Sequence, residues 1–343
     1  MILLDLDITE LEELLARRNC PKYRARQLMQ WLLGGCDFNE MSNLPKELRE
    51  SLSAEHIARP VEIIEDLKSK DGSVKLLYKL FDGNVIEGVY MPHDYGNTLC
   101  VSTQVGCRMG CEFCASGIGG LVRNLTAGEI LGQFVAVNRY LGGTMSDRKL
   151  SNIVLMGSGE PLDNFENVVK FILLVSDLSG LNVGRRSISL STCGIVENIR
   201  RLADMGLDVT LSLSLHATLD EYRRKLMPIA NKYSVTETVD AARYYFKKTG
   251  RRVIFEYSMV KGVNMSFSDA KRLSELTKGM AAHVNLIMLN KVDGKNVEGC
   301  TPLEGERFCE KLKSLGVSAT VRRSMGSDIE GACGQLRRKR LNL

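Results

Sequence analysis

The sequence contains no apolar run approaching the roughly 20 residues that a membrane-spanning helix needs. Its opening, MILLDLDITELEELLARRN, is acidic and amphipathic, and lacks both the basic start and the unbroken apolar centre of a secretory signal. These absences point to a cytoplasmic protein with no membrane partner. No short internal repeat or low-complexity tract is present, and hydrophobic residues fill 44% of the 343 positions. A disordered or fibrous chain is thereby excluded, and one large domain with a smaller appendage fits the length. A strong charge excess is missing as well, since the net charge is only +5. The basic residues nevertheless cluster, at Arg185-Arg186, Arg200-Arg201, Arg223-Arg224-Lys225, Arg251-Arg252, Arg322-Arg323 and Arg337-Arg338-Lys339-Arg340. Clustered charge suits a phosphate-rich partner, although any single pair taken alone reads more readily as a solvated helix face or strand end.

Cysteine, by contrast, is plentiful. Disulfides are rare in the cytosol, so ten cysteines call for another explanation. Cys20, Cys36, Cys193, Cys300 and Cys309 are scattered and read as buried or incidental thiols. The remaining five carry the argument below.

From Leu3 to about Glu55 the apolar spacing of three and four predicts helices, with a turn at Asn43-Leu44-Pro45. Two strand-like runs, Lys75 to Phe81 and Asn84 to Met91, flank Asp82-Gly83 and predict a β-hairpin. Pro92 to Asn97 reads as a linker. Strands are then expected at Thr98 to Thr103, Asn152 to Met156, Ser187 to Ser191, Val209 to Leu215, Val253 to Val260, Val284 to Leu289 and Val317 to Val321, with helices between them. This alternation predicts an α/β fold: a parallel sheet with helices outside, open or closed into a full or partial barrel. The divisions are a helical module at 1–58, a hairpin extension and linker at 59–95, a core at 96–325 and a C-terminal segment at 326–343. Polar residues at the predicted strand ends, Gly159-Glu160, Ser191-Thr192, Ser214, His216 and Asn290, mark the edge where such folds bind ligands.

The strongest signal is Gly106-Cys107-Arg108-Met109-Gly110-Cys111-Glu112-Phe113-Cys114, a C-x3-C-x2-C run directly after a predicted strand. Three thiolates so spaced can wrap one face of an iron-sulfur cube and leave one iron open. An open iron can chelate the amino and carboxylate groups of S-adenosylmethionine (SAM), and an electron delivered there splits the sulfonium to a 5′-deoxyadenosyl radical. A structural zinc site is the rival, but it needs a fourth ligand, for which Cys100 is the close candidate; a thioredoxin-like pair is the other.

The C-x3-C-x2-C run is the signature of radical SAM enzymes. The wider strings TLCVSTQVGCRMGCEFCASGIGGLVRNLTAGEI, LMGSGEPLDN, SISLSTCGI, SLSLHA, RKLMPI, HVNLI and DIEGACGQL resemble, in order, the RlmN family of adenine C2 methyltransferases, from about Tyr23 to Leu336. The resemblance implies a radical-SAM partial barrel of TIM type, with Cys107, Cys111 and Cys114 holding a [4Fe-4S] cluster. It implies SAM contacts from Gly159, Glu160, Ser191, Ser214, Leu215, His216 and Asn290. Cys333 would carry a methyl group taken from a first SAM, Cys100 would later release the product, and Glu87 would accept a proton near the substrate adenine. The implied partners are 23S ribosomal RNA, transfer RNA and an electron donor such as flavodoxin or ferredoxin, acting on a monomer.

The chemistry accounts for the apparatus. Carbon C2 of adenine has no lone pair for polar methylation, whereas a methylene radical on Cys333 can add to it. Proton loss and attack by Cys100 on the sulfur of Cys333 would then free the base, leaving a Cys100–Cys333 disulfide to be reduced. Two SAM molecules are consumed for each methyl. A Cfr-type C8 methyltransferase is the nearest rival; members of that kind tend to have Ala after Gly-Glu, and Pro161 stands here. A non-catalytic, metal-stabilised RNA-binding protein is the rival from another class. The family's NLIPxNP stretch is here Asn285-Leu286-Ile287-Met288-Leu289-Asn290-Lys291, with Asn290 kept and both prolines replaced.

Overall fold

The computed structural model describes residues 1–290, 292 and 297–336; Lys291 and the basic run Arg337-Arg338-Lys339-Arg340 lie outside the described residues. Three helices open the chain, α1 (Ile8–Ala16), α2 (Tyr23–Leu33) and α3 (Lys46–Glu55). Asp7 starts α1 by accepting from the Glu10 N–H while Glu10 reaches back to Asp7, so two otherwise orphaned donors are satisfied reciprocally. Leu11, Leu15, Leu28 and Leu32 bury one face of this pair in the same continuous core as the rest of the chain. The module is therefore joined to the main body by packing as well as by the chain.

The expected hairpin is present as β2 (Val74–Leu80) and β3 (Val85–Met91), with Gly83 in its turn. A third strand, β1 (Val61–Lys68), pairs antiparallel with β2 and went unrecognised in the sequence. Its Glu62, Glu65, Asp66 and Lys68 hide the apolar alternation, and a register shift falls between Ile63 and Glu65. Charges and a bulge are how a sheet edge is guarded against further pairing, and β1 is an edge strand.

Beyond β3 come β4 (Thr98–Cys100), the separate antiparallel ribbon β5 (Gln104–Gly106) and β6 (Leu121–Asn124), then α4 (Ala127–Tyr140), β7 (Asn152–Leu155), α5 (Phe165–Val175), β8 (Ile188–Thr192), α6 (Val196–Asp204), β9 (Thr210–Ser214), α7 (Asp220–Leu226), α8 (Val235–Thr249), β10 (Val253–Met259), α9 (Phe267–Thr277), β11 (Ala282–Met288), α10 (Pro302–Ser314) and β12 (Ala319–Arg322). The main sheet runs β1-β2-β3-β4-β7-β8-β9-β10-β11-β12, antiparallel up to β4 and parallel from there on. Because each parallel strand lies beside its predecessor and such crossovers share one hand, the helices stay outside while the sheet curls around an interior. It does not close, so the α/β barrel is partial, as the resemblance implied.

Along β10, Val253, Phe255, Tyr257 and Met259 are buried in the core, whereas Ile254 and Glu256 line a central cavity. Ser189 of β8, Ser212 of β9 and Asn285 of β11 line the same cavity. The barrel interior thus presents polar groups among apolar ones such as Ile153, Ile254 and Ile287, the mixture that a hydrogen-bonding ligand with an apolar body requires.

Candidate active site

The cysteine run sits in the loop between β5 and β6. Gly106 has φ +77°, and a Cβ there would stand 2.0 Å from the Gly120 carbonyl oxygen, so only glycine lets the two ends of this loop close. Cys107 N–H donates to that same oxygen at 3.1 Å, and Glu112 N–H ties the loop to Leu226 of α7 at 2.9 Å. Cys107, Cys111 and Cys114 line one cavity. Burial pushes the Cys107 thiol up to about 12, and Cys111 is raised by burial and by charge on Cys114 and Cys107, so the thiols lie within electrostatic reach of one another. Among the described residues no three His, Cys, Asp or Glu side chains gather as tightly as a single metal ion demands. Cys100, the fourth zinc ligand that the sequence offered, is not on this wall and lines a different cavity. Three soft donors spread around one cavity fit an iron-sulfur cube with an open corner better than a tetrahedral zinc.

Gly159, Glu160, Ser191, Ser214, His216 and Asn290 share the cavity with the three cysteines, although these six come from four separate stretches of chain. Gly159 has φ +107°, and a Cβ there would meet Gln104 at 2.7 Å. Glu160 Oε2 accepts from Cys193 N–H at 2.7 Å and Oε1 from Leu162 N–H at 3.0 Å. Burial pushes this carboxyl up, and those donors oppose the push. His216, in the left-handed region at φ +57°, accepts at Nδ1 from Ser258 N–H at 2.9 Å. Its Nε2 therefore carries the proton, and burial, reinforced by Arg223, holds the imidazole neutral with a pKa of about 3. Leu215 is fully buried and off the wall; it offers its carbonyl to Arg223 Nε at 3.1 Å.

Two residues of the basic clusters expected to meet RNA turn inward instead. Arg223 is wholly buried and donates to the carbonyls of Leu215, Cys193, Ser214 and Tyr233, so it ties β8, β9 and α7 together and cannot reach a phosphate. Arg322 lines the barrel interior, with Nη1 3.9 Å from Glu256 Oε2. Sequence reasoning missed Glu256 altogether; the alternation of polar Glu256 and Ser258 with bulky Phe255, Tyr257 and Met259 was the available signal.

A second cavity of about 840 Å³ adjoins the first and shares Met156, Glu256, Asn290, Arg322 and Cys333 with it. Cys100, at the end of β4, and Cys333 both face this larger space. Charge on Cys333 and Cys100 favours the protonated form of Arg322, so the guanidinium stands near both thiols. Glu87 is not on either wall. It is buried on β3 in an ion pair with Lys75 Nζ at 2.9 Å, where the bare sequence reads as a solvated strand residue. It lies on the same face of the strand as the cavity-lining Val89 and Met91, beneath the segment that carries Cys333.

That segment is held by side chains and isolated bonds. Asp71 accepts from Gly326 N–H at 2.9 Å, Ser69 Oγ donates to Asp328 at 2.6 Å, and Lys75 Nζ donates to the Glu330 carbonyl at 3.3 Å. On the other side Ala115 N–H donates to Gly334 O at 2.7 Å and Ser116 Oγ to Leu336 O at 2.9 Å. Asn290 Nδ2 reaches the Cys333 carbonyl at 3.4 Å.

Comparison with known proteins agrees with this geometry. Residues 101–273 match the Radical SAM superfamily, and residues 1–57 match the ribosomal RNA large subunit methyltransferase N-terminal domain. A protein of Clostridium perfringens (strain 13 / Type A), named a probable dual-specificity RNA methyltransferase RlmN, is 52% identical over 339 residues, covering 98% of this chain and 96% of its own. A Clostridium botulinum (strain Alaska E43 / Type E3) protein of the same name is 50% identical over 338 residues, at 98% and 96% coverage. The crystal structure of a radical SAM methyltransferase from Sphaerobacter thermophilus superposes with a TM-score of 0.94 at 42% identity, covering 99% of this chain and 100% of that one. With both domains matched, the fold shared end to end and half the residues identical, the chain belongs to the RlmN family of radical SAM RNA methyltransferases.

Proposed function

We propose that this protein methylates carbon C2 of an adenine in 23S ribosomal RNA, and an adenine beside the anticodon of transfer RNA, with Cys333 as methyl carrier and Cys100 as the releasing thiol. The observation that carries this reading is that Cys333 stands on the walls of both cavities while Cys100 faces only the larger one. Cys107, Cys111 and Cys114 would hold a [4Fe-4S] cluster, which when reduced supplies the electron that cleaves SAM homolytically. Glu160 would neutralise the SAM ammonium, Gly159 would let the backbone approach, and neutral His216, with Ser191, Ser214 and Asn290, would add polar contacts.

Cys333 takes a methyl from a first SAM and becomes a thioether. Transfer of one hydrogen atom from that methyl to the 5′-deoxyadenosyl fragment of a second SAM, which leaves as 5′-deoxyadenosine, lets the methyl carbon bond to C2 of an adenine in the larger cavity. Once the adduct has given up its unpaired electron to the one-electron carrier and C2 has lost its proton, the Cys100 thiolate attacks the sulfur of Cys333, the carbon–sulfur bond breaks with its electron pair on carbon, that carbon takes up a proton to become the methyl, and a disulfide forms. Glu87 would reach the base as proton acceptor only after the overlying Cys333 segment moves aside. Arg322 favours the thiolate form of Cys100. The site of action is the cytoplasm; among the described residues no helix is long and apolar enough to cross a membrane. Anaerobic reconstitution with SAM and RNA, followed by mass spectrometry of the nucleosides, tests the proposal. A 2-methyladenosine product is expected, and an 8-methyl product or unmodified RNA would overturn it.

A further inference from the structure

The turn between β3 and β4 carries an exposed ring surface that the chemistry above leaves unused. His93 and Tyr95 stack with centroids 4.7 Å apart and planes 10° apart, and Tyr95 is 77% exposed. An aromatic ring so exposed, yet ordered against a second ring, has one face committed and the other open to a partner. The pair does not sit on an arbitrary surface: His93 and Tyr95 line the 840 Å³ cavity that Cys100 and Cys333 face. Exposed Arg186, just before β8, and Arg323, just after β12, line the same cavity. Asp94 is the acid between the two rings, so phosphate contacts fall to the arginines and not to the loop itself.

We infer that the His93–Tyr95 stack is a platform for an unpaired nucleobase of the RNA, the one adjoining the adenine that enters the cavity. Extruding a base costs stacking with its neighbours, and an aromatic face at the cavity mouth restores that stacking for the neighbour left behind. Every base has a π-face, so the platform discriminates single-stranded from paired RNA more than one sequence from another. Arg186 and Arg323 hold the flanking phosphates and fix the direction of entry. This inference rests on the proposed function, because it supposes an RNA substrate.

Steady-state methylation of an RNA hairpin with the target adenosine in its loop, by the reconstituted full chain, tests it. Tyr95→Ala should raise KM for the hairpin about tenfold with kcat largely unchanged, the signature of a lost stacking contact. Tyr95→Phe should keep the wild-type KM, since a phenyl ring stacks equally well. A 2-aminopurine placed beside the target adenosine should lose fluorescence on binding to the wild type and keep it on binding to Tyr95→Ala. A wild-type KM together with normal quenching in Tyr95→Ala would overturn the platform, leaving the pair as a brace for its own turn. Failure of the wild type to methylate the hairpin would instead overturn the function on which the inference rests.

Discussion

The two halves of the active site are held by different means. On the side of the proposed SAM site, Glu160, His216 and Arg223 are buried and bonded to main-chain groups of the barrel: Glu160 to the N–H groups of Cys193 and Leu162, His216 to Ser258 N–H, Arg223 to four carbonyls. On the other side the Cys333 segment, which has no strand in it, hangs on a few contacts with the β1–β2 turn and the cysteine loop. The difference teaches a division of labour. A binding half tied to the backbone is pre-organised and costs no reorganisation, whereas a half latched by single bonds can shift, as the proposed cycle asks of Cys333 in meeting first a methyl donor and then a base.

The comparison breaks most severely at the two thiols. Cys333→Ala should give no methyl-cysteine and no methylated RNA, whereas Cys100→Ala should stall with RNA attached through Cys333; denaturing gels with labelled RNA distinguish the two. Freely released product from Cys100→Ala at the wild-type rate would remove that thiol from the cycle.

On the rigid half, Arg223→Met should leave four carbonyls short of a donor and cost about 2–5 kcal/mol of stability, read as a lowered Tm. A variant as stable as the wild type would show that the barrel edge does not depend on this guanidinium.

The thiol side is sharpened by pH. Burial, reinforced by charge on Cys333 and opposed by Arg322, pushes the Cys100 thiol up to about 12. The thiolate is then the minor form near neutrality, so release of the crosslinked RNA should quicken by about tenfold per unit between about pH 7 and 10. Single-turnover decay of the crosslink measures this. Arg322→Met should slow it at every pH in that range, and a flat profile would mean that another step limits release.

The smallest effect belongs to the latch. Asp71 would be pushed up by burial, but the N–H groups of Gly326 and Ser73 hold it down at about 2, so it is ionised wherever the protein works. Asp71→Asn should speed amide hydrogen exchange in the segment around Gly326, whose N–H it accepts from, a fewfold, about what one lost charge-assisted hydrogen bond confers on a local opening. Reductive SAM cleavage should be unchanged, because the SAM side does not use this contact. An unaltered exchange rate would place the restraint on the Ala115 and Ser116 side instead.

Much of the chemistry was legible in local order along the chain. Three cysteines within eight residues, strand-like runs alternating with helical ones and polar groups at strand ends are all short-range patterns, and the barrel places them as expected. What was lost was lost for identifiable reasons. The charges of an edge strand masked β1. A pairwise reading of basic residues could not separate Arg223 and Arg322, which turn inward, from Arg185, Arg200 and Arg224, which are exposed.

The sequence by itself set out the three clustered cysteines and the alternation of strand and helix from β7 onward, because spacing and periodicity are properties of neighbours in the chain. Only the tertiary structure decided that Cys100 and Cys333, 233 positions apart in the numbering, face one space. It also decided that Glu87 is paired with Lys75 beneath the Cys333 segment, and that the interior splits into a cofactor side and a larger opening rimmed by His93 and Tyr95. Those facts depend on which residues the curl of the sheet turns inward and on what the returning C-terminal segment covers, and no local pattern encodes either.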